Sequence, residues 1–108
     1  MIREILHYRT VSGKNLFDEW FSGLSDLRTM NRIEARLDRL RAGNFRDTKL
    51  VATRVWELRF HFGPGYRVYF GLNGQALVIL LCGGDKSTQD SDIRRARGYW
   101  IDYLRRKL

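Results

Sequence analysis

Residues 54–62 alternate between apolar and polar side chains, and this two-residue period constrains the fold more than any other feature. Because successive residues of a β-strand face opposite sides of a sheet, the period predicts a strand with one buried and one polar face. The apolar side chains are Trp56, Leu58, Phe60 and Phe62, and the polar ones are Glu57, Arg59 and His61. The chain is therefore expected to build an antiparallel sheet that packs one face on a core.

Two further strands are predicted directly after this one. Residues 62–66, F-G-P-G-Y, predict a tight reversal, because proline presets φ and glycine accepts a positive φ. Residues 66–72 alternate again, and Asn73-Gly74 is typical of a two-residue hairpin with positive φ at both positions. The apolar run 76–82 predicts a strand buried on both faces, with Lys86 just past its end. The open face of this three-stranded meander is expected to carry Glu57, Arg59, His61, Arg67 and Tyr69.

The segment before the meander predicts one strand and two helices. The strand covers residues 2–9. Ser12 is the expected N-cap of a helix over Lys14–Ser22, and Ser25 is the expected N-cap of a second helix that ends near Arg41. The second helix should turn inward the apolar residues Leu27, Met30, Ile33, Leu37 and Leu40.

The remaining segments complete the predicted fold. Residues 45–53 carry charge without periodicity and predict an exposed loop, whereas residues 88–106 predict a last helix. That helix should turn inward Ile93, Ala96, Trp100 and Leu104. The order β-α-α-β-β-β-α is that of an α+β protein with helices packed against an antiparallel sheet, and residues 1–108 are expected to form a single domain.

The composition favours a polyanionic partner. A formal net charge of +8 attracts phosphates whatever the fold, although a basic surface can also serve solubility alone. The single Cys82 lies in an apolar run and has no partner for an intrachain disulfide, which favours a reducing compartment. No apolar run is long enough to span a bilayer, and the first residues lack the apolar core of a signal peptide. We therefore expect a cytoplasmic protein.

The polar residues of the meander suggest one chemistry. No metal-ligand spacing, phosphate-binding glycine loop or nucleophile triad occurs in the sequence, so neither a metal nor another cofactor is expected. A carboxylate, two arginines, an imidazole, a phenol and an amine suit RNA cleavage by the 2′-hydroxyl, which needs a base, an acid and cations for the charge that develops on phosphorus. Taken singly, these side chains are better explained as solvated strand residues or weak surface ion pairs. Their pattern alone predicts a basic, RNA-binding sheet.

Two longer motifs resemble a known family. The segments V-W-E-L-R-F-H-F-G-P-G-Y-R-V-Y-F and L-L-C-G-G-D-K-S-T-Q-D-S-D-I-R-R-A are similar to the HigB-like killer proteins of addiction modules, a branch of the RelE/ParE toxin superfamily. The resemblance implies a RelE-like microbial ribonuclease-type fold. It also implies metal-independent mRNA cleavage on the ribosome, inhibition of translation, and neutralisation by a HigA-like antitoxin with a helix-turn-helix domain.

The resemblance also implies site residues. Arg67 matches an arginine that stabilises the phosphate, Lys49 matches basic residues before the first meander strand, and Lys86 matches polar or basic residues after the last one. Arg59 and Glu57 fall in the E-L-R motif, where Glu57 is a candidate base. Further RNA contacts are expected from Arg54, His61 and Tyr69. Since Arg67 is predicted on the open face, its truncation should leave the fold intact. Two alternatives stay open: a ParE-like toxin that binds DNA gyrase without catalysis, and an inactive antitoxin-binding protein.

Overall fold

The chain forms a five-stranded mixed sheet with helices on both faces, as seen in a computed structural model that describes residues 2–106. The predicted single domain spans residues 1–108, of which 1, 107 and 108 lie outside the described residues. The elements are β1 (Glu4–His7), α1 (Leu16–Ser22), α2 (Leu27–Arg41), β2 (Thr48–Ala52), β3 (Val55–Arg59), β4 (Arg67–Asn73), β5 (Leu77–Gly84), a 3₁₀ turn (Lys86–Thr88) and α3 (Gln89–Arg106).

The sheet order is β1-β5-β4-β3-β2. Strands β3, β4 and β5 form the predicted antiparallel meander, and β1 adds to β5 in parallel. The turn between β3 and β4 is also as predicted, because Gly63 and Gly65 both have positive φ. The α+β class is thus confirmed, and the arrangement is compatible with a RelE-like fold.

Both faces of the sheet are covered, which corrects the prediction of an open polar face. On one face, α1 and α2 bury Phe17, Ile33 and Leu40 against the strands. On the other face, Ala96 and Trp100 of α3 pack in a second hydrophobic cluster. The alternation in the meander did not predict that α3 covers this face. The polar residues of the face stand at one end of the strands and its apolar residues at the other. The polar end of this face lies beside the start of α3.

One strand was not predicted. Residues 48–52 form β2, an edge strand antiparallel to β3, where an exposed loop was expected. Its sequence, T-K-L-V-A, has no clear two-residue period, because an edge strand with exposed positions needs few apolar side chains. Backbone pairing with β3 defines it instead. The order is therefore β-α-α-β-β-β-β-α.

The second hairpin also differs from the prediction. Asn73 pairs with Leu77, so three residues connect β4 to β5 where two were expected. Gly74 has a φ of 68°, whereas Asn73 has no positive φ and stays in the strand. A single glycine suffices for this longer connection.

The helix N-caps lie one to three residues from the predicted ones. Asn15 caps α1 by accepting a hydrogen bond from the backbone of Asp18, and Asp26 caps α2 through the backbone of Arg28. Ser12 and Ser25 therefore do not cap these helices. Side-chain oxygens of asparagine and aspartate serve as caps as well as serine does, so composition alone does not separate neighbouring candidates.

Two leucines predicted to face inward are exposed. Leu27 opens α2 and is 69% exposed, and Leu104 of α3 is 37% exposed. Tyr103 takes the inward position near the end of α3, where its hydroxyl accepts a hydrogen bond from Asn73 at 3.2 Å. Both leucines stand in a terminal turn of their helix, where the apolar period continues but the side chains are not buried.

Cys82 is buried, as its apolar run predicted. Desolvation, followed by the nearby charge of Asp92, raises the pKa of its thiol to about 12. Among residues 2–106, no helix is both long and apolar enough to cross a bilayer.

Two glycines test the packing of α3. A Cβ at Gly71 of β4 would overlap the indole of Trp100, whereas a Cβ at Gly98 on the outside of α3 meets nothing within 4 Å. We expect Gly71→Ala to lower the free energy of unfolding by about 1–3 kcal/mol, since overpacking forces side chains from their rotamers. Gly98→Ala should raise it by up to about 1 kcal/mol through helix propensity. Urea unfolding of both variants checks this, and equal effects would contradict the packing of Trp100 on Gly71.

Candidate functional site

The polar side chains of the meander meet where β3 ends and β4 begins. Arg59 is the cross-strand partner of Arg67, and Glu57 is the partner of Tyr69. Directly opposed residues in an antiparallel pair share one face, so these four side chains lie together on the face covered by α3. The sheet register alone therefore brings two arginines beside one carboxylate.

The carboxylate of Glu57 is at the centre of this cluster and has no exposed surface. Its Oε1 accepts a hydrogen bond from Arg59 Nε at 2.6 Å, and Arg67 Nε lies 3.6 Å from the same oxygen. Its Oε2 accepts hydrogen bonds from the Tyr69 hydroxyl at 3.0 Å and from Gln89 Nε2 at 2.9 Å. Each carboxylate oxygen is thus already engaged by protein donors.

These contacts set the ionisation of the cluster. Desolvation acts to raise the pKa of Glu57, but hydrogen bonds from Arg59, Gln89 and Tyr69 outweigh it and lower that pKa. Desolvation and the negative charge of Glu57 raise the pKa of the Tyr69 phenol. Glu57 is accordingly a buried anion at neutral pH. A carboxylate with a lowered pKa and occupied oxygens accepts a further proton poorly, which argues against the predicted role of Glu57 as a base.

Arg67 is buried where an exposed position was predicted, with 9% of its surface accessible. Its Nη1 donates to the carbonyl of Gly65 at 2.8 Å and lies 3.3 Å from that of Tyr66. Its Nε is buried and has no hydrogen-bond partner within residues 2–106. Truncation of Arg67 would leave the Glu57 charge with less compensation, so we expect it to lower stability, in contrast to the unaffected fold predicted from the sequence.

Lys86 and Lys49 flank the cluster on opposite sides. Lys86 lies beside Arg67, because both are close to Gly65. A Cβ atom built on Gly65 would be 3.2 Å from Arg67 Nη1 and 3.3 Å from the Cβ of Lys86. Lys49 of β2 is the cross-strand partner of Glu57, and its side chain is exposed. Two arginines, Arg59 and Arg67, thus contact the Glu57 carboxylate, and two lysines, Lys49 and Lys86, lie at the edges of the cluster.

Two predicted site residues lie outside this cluster, and a third lies within it but is buried. Arg54, with a φ of 62°, is in the turn before β3, about 16 Å from Arg59 along an extended chain. His61 lies past the end of β3, where its Nε2 is 3.5 Å from Asp47 Oδ1. Tyr69 belongs to the cluster but is fully buried, so it supports Glu57 and has no surface with which to contact RNA. The open face on which Tyr69 was predicted is covered by α3.

Two residues of this region were missed by the sequence analysis. Gln89, the first residue of α3, bonds Glu57 across 32 positions of sequence. It falls in the block C-G-G-D-K-S-T-Q, which carries the family resemblance and was interpreted only as a helix start. Asp47 has a φ of 59°, and its carbonyl accepts a hydrogen bond from Arg59 N at 2.9 Å. Its loop lacked any periodicity that could have predicted this contact.

Within the described part of the chain, no three histidine, cysteine, aspartate or glutamate side chains are grouped as metal ligands. The chemistry open to the cluster is that of fixed cations beside a buried anion. Such an arrangement binds an anion and stabilises negative charge that develops on it.

Comparison with known proteins identifies the family. The family model described as Phage derived protein Gp49-like (DUF891) matches residues 19–98. The chain belongs to this family. The matched region of this Gp49-like protein includes the entire cluster and Gln89. The chain is also 54% identical over 81 residues to an uncharacterized protein of Haemophilus influenzae. The aligned residues cover 75% of this chain and 82% of that protein. Membership of the Gp49-like family indicates a toxin-like protein.

The lowered pKa of Glu57 predicts a pH dependence of stability. A carboxylate with a folded-state pKa below its unfolded value, about 4.3, stabilises the fold above that value. The contribution is lost as the pH falls through the folded-state pKa. We expect the difference in free energy of unfolding between the native protein and Glu57→Gln to be constant at neutral pH and to shrink below about pH 4. Urea unfolding from pH 7 downward checks this, and a difference that grows on acidification would contradict the assigned ionisation.

Proposed function

We propose that this Gp49-like protein is the toxin of a type II toxin–antitoxin system and an endoribonuclease that cuts mRNA in the ribosome. The proposal rests on one observation: Arg59 and Arg67 are neighbours in register and are held by the same buried carboxylate. Membership of the Gp49-like family supports the toxin assignment. The motifs shared with HigB-like proteins of the RelE/ParE superfamily support the enzymatic one.

The proposed reaction is transesterification at phosphorus. The 2′-oxygen of the ribose forms a bond to phosphorus and gives up its proton to water, while the bond to the 5′-oxygen of the next nucleotide breaks and that oxygen takes up a proton. The products are a 2′,3′-cyclic phosphate and a 5′-hydroxyl. DNA lacks the attacking hydroxyl and is not a substrate for this step.

The cluster supplies cations for that reaction. Arg59 and Arg67 would bind the non-bridging oxygens, whose negative charge grows in the transition state. Lys86, on the other side of Arg67, would give a proton or positive charge to the leaving 5′-oxygen. Glu57 positions both arginines and is assigned no proton transfer.

Replacement of the arginines tests the proposal. We expect Arg59→Gln and Arg67→Gln to reduce mRNA cleavage by about a hundredfold to a thousandfold, the usual effect of removing a preorganised donor to an oxyanion. Glutamine keeps a donor for Glu57 and limits loss of packing. Cleavage is measured by primer extension after induction, with thermal unfolding in parallel. Arg97→Gln, which alters an exposed arginine of α3, is the control and should cut normally.

The cleavage products separate this proposal from its rivals. The cut ends should carry a 2′,3′-cyclic phosphate, and cleavage should persist in EDTA when ribosome integrity is maintained separately. Normal cutting by both arginine variants, or a 3′-hydroxyl end that disappears with EDTA, would overturn the mechanism. Intact mRNA together with trapped DNA breaks in a gyrase assay would instead assign a ParE-like toxin.

A second prediction concerns the partner. We expect expression of this protein to arrest growth, and co-expression of a neighbouring HigA-like helix-turn-helix protein to relieve the arrest. A cationic surface favours association with an acidic covering segment of such a partner. A pull-down between the two proteins measures the interaction directly. Growth arrest that persists despite a soluble neighbouring protein, with no complex in the pull-down, would contradict the toxin–antitoxin assignment.

A further inference from the structure

A second cationic site lies on the opposite side of β3 from the Glu57 cluster. It is a groove between α2 and the chain that leaves β3, and we call it the arginine groove. Its lining combines guanidinium groups, an imidazole and two phenyl rings. The residues that define it are Arg32, Arg36, Arg39, Arg46, Phe60, His61 and Phe62.

Charges are segregated around α2. Arg32, Arg36 and Arg39 stand four and three residues apart, so they share one side of the helix and line the groove. Glu34 and Asp38 face a different depression, between α2, α1 and β1. A helix stabilised by its own charge pairs would place opposite charges three or four residues apart on one side. Within residues 2–106, the arginines of this side of α2 form no ion pair with an acid of the helix itself.

Aromatic rings hold two of these arginines. The Arg32 guanidinium carbon lies 3.7 Å from the centroid of Phe62, and that of Arg36 lies 5.6 Å from the centroid of Phe60. Arg36 Nη2 also donates to the carbonyl of Arg46. Guanidinium groups stacked on rings lose little further freedom when they bind an anion. The groove is therefore organised before any ligand arrives.

Asp47 is the single acid of the groove. Its Oδ2 lies 3.5 Å from Arg36 Nη1 and 4.0 Å from Arg46 Nε, and its Oδ1 lies 3.5 Å from His61. Four arginines against one aspartate leave a formal charge of +3 with His61 neutral. Desolvation, and then repulsion by Arg39 and Arg46, lower the pKa of Arg36 against the attraction of Asp47. The positive charge of the groove is not neutralised within residues 2–106.

The same aspartate joins the groove to the Glu57 cluster. The Asp47 carbonyl accepts a hydrogen bond from Arg59 N, while its side chain faces Arg36 and His61. His61 follows Arg59 by two residues, about 7 Å of extended chain. An anionic polymer bound at Arg59 can thus continue into the groove without a gap in positive charge.

We propose that the arginine groove binds the sugar–phosphate backbone of RNA next to the segment held at the Glu57 cluster. This inference rests on the proposed function, which places a scissile phosphate at Arg59 and Arg67. Arg32 and Arg39 contact phosphates, and the exposed His61 ring offers a surface on which a base stacks. RNA is favoured over an acidic peptide because the groove combines stacked guanidinium groups, an exposed imidazole ring and continuity with the cluster.

The test uses full-length protein and RNA that cannot be cut. The probes are a short single-stranded 2′-O-methyl RNA and purified bacterial ribosomes, and affinity is measured over a salt series. The groove variant is Arg32→Gln with Arg39→Gln, and a charge-retaining variant is Arg32→Lys with Arg39→Lys. Arg97→Gln with Arg105→Gln is the matched control, since it removes the same charge from exposed positions of α3 that form no ion pair within residues 2–106.

We expect the groove variant to bind RNA roughly tenfold more weakly at physiological salt. Its slope of log affinity against log salt should be smaller by about 1.4, because each phosphate contact on a single strand contributes about 0.7. The lysine variant and the control should keep the native slope. Thermal unfolding of each variant shows whether the fold is retained.

Three results would overturn the inference. They are equal losses in the groove variant and the control, unchanged RNA affinity in a folded groove variant, and no binding of either probe by the native protein. Polyglutamate that binds the native protein but not the groove variant, with RNA affinity unchanged, would assign the groove to an acidic protein segment. The proposed function is tested separately, by cleavage and not by binding. If it holds, Arg67→Gln loses cleavage while it still binds 2′-O-methyl RNA.

Discussion

The buried carboxylate of Glu57 is the interaction on which the polar end of this structure depends. A charge without access to water is costly unless donors surround it. Here the donors come from three elements: Arg59 lies on the same strand, Tyr69 on the neighbouring strand and Gln89 at the start of α3. The need to satisfy one carboxylate thus fixes the ends of β3 and β4 and the position where α3 begins.

The arrangement that stabilises the fold around Glu57 is also suited to binding an anion. Glu57 compensates two adjacent arginines that would otherwise repel each other, and it restricts their side chains. Because a preorganised donor needs no rearrangement when charge develops on a ligand, rigidity here serves both the fold and the proposed reaction. In the proposed mechanism Glu57 therefore combines a structural role with a functional one.

The positive charge of the protein is also unevenly distributed over its surface. The net charge of +8 is concentrated in part around β3, where the Glu57 cluster and the arginine groove adjoin through Asp47. The acidic residues of α2 lie on a different side of that helix. Electrostatic attraction that acts over a Debye length, about 8 Å at physiological salt, would guide a polyanion to this end of the sheet.

The sequence by itself determined the α+β class, the meander, the burial of Cys82 and the location of Arg59 and Arg67 on the same face of the sheet, since these follow from local periods and turn residues. It could not determine that α3 covers the second face, because Trp100 meets Gly71 across 29 positions and no local pattern records such a contact. Edge strand β2 was hidden for a similar reason, as backbone pairing leaves little trace in side chains. Burial of Glu57 and its bond to Gln89 were likewise decided only by tertiary structure, because the same alternation describes a solvated glutamate and a buried one until a helix is placed over it.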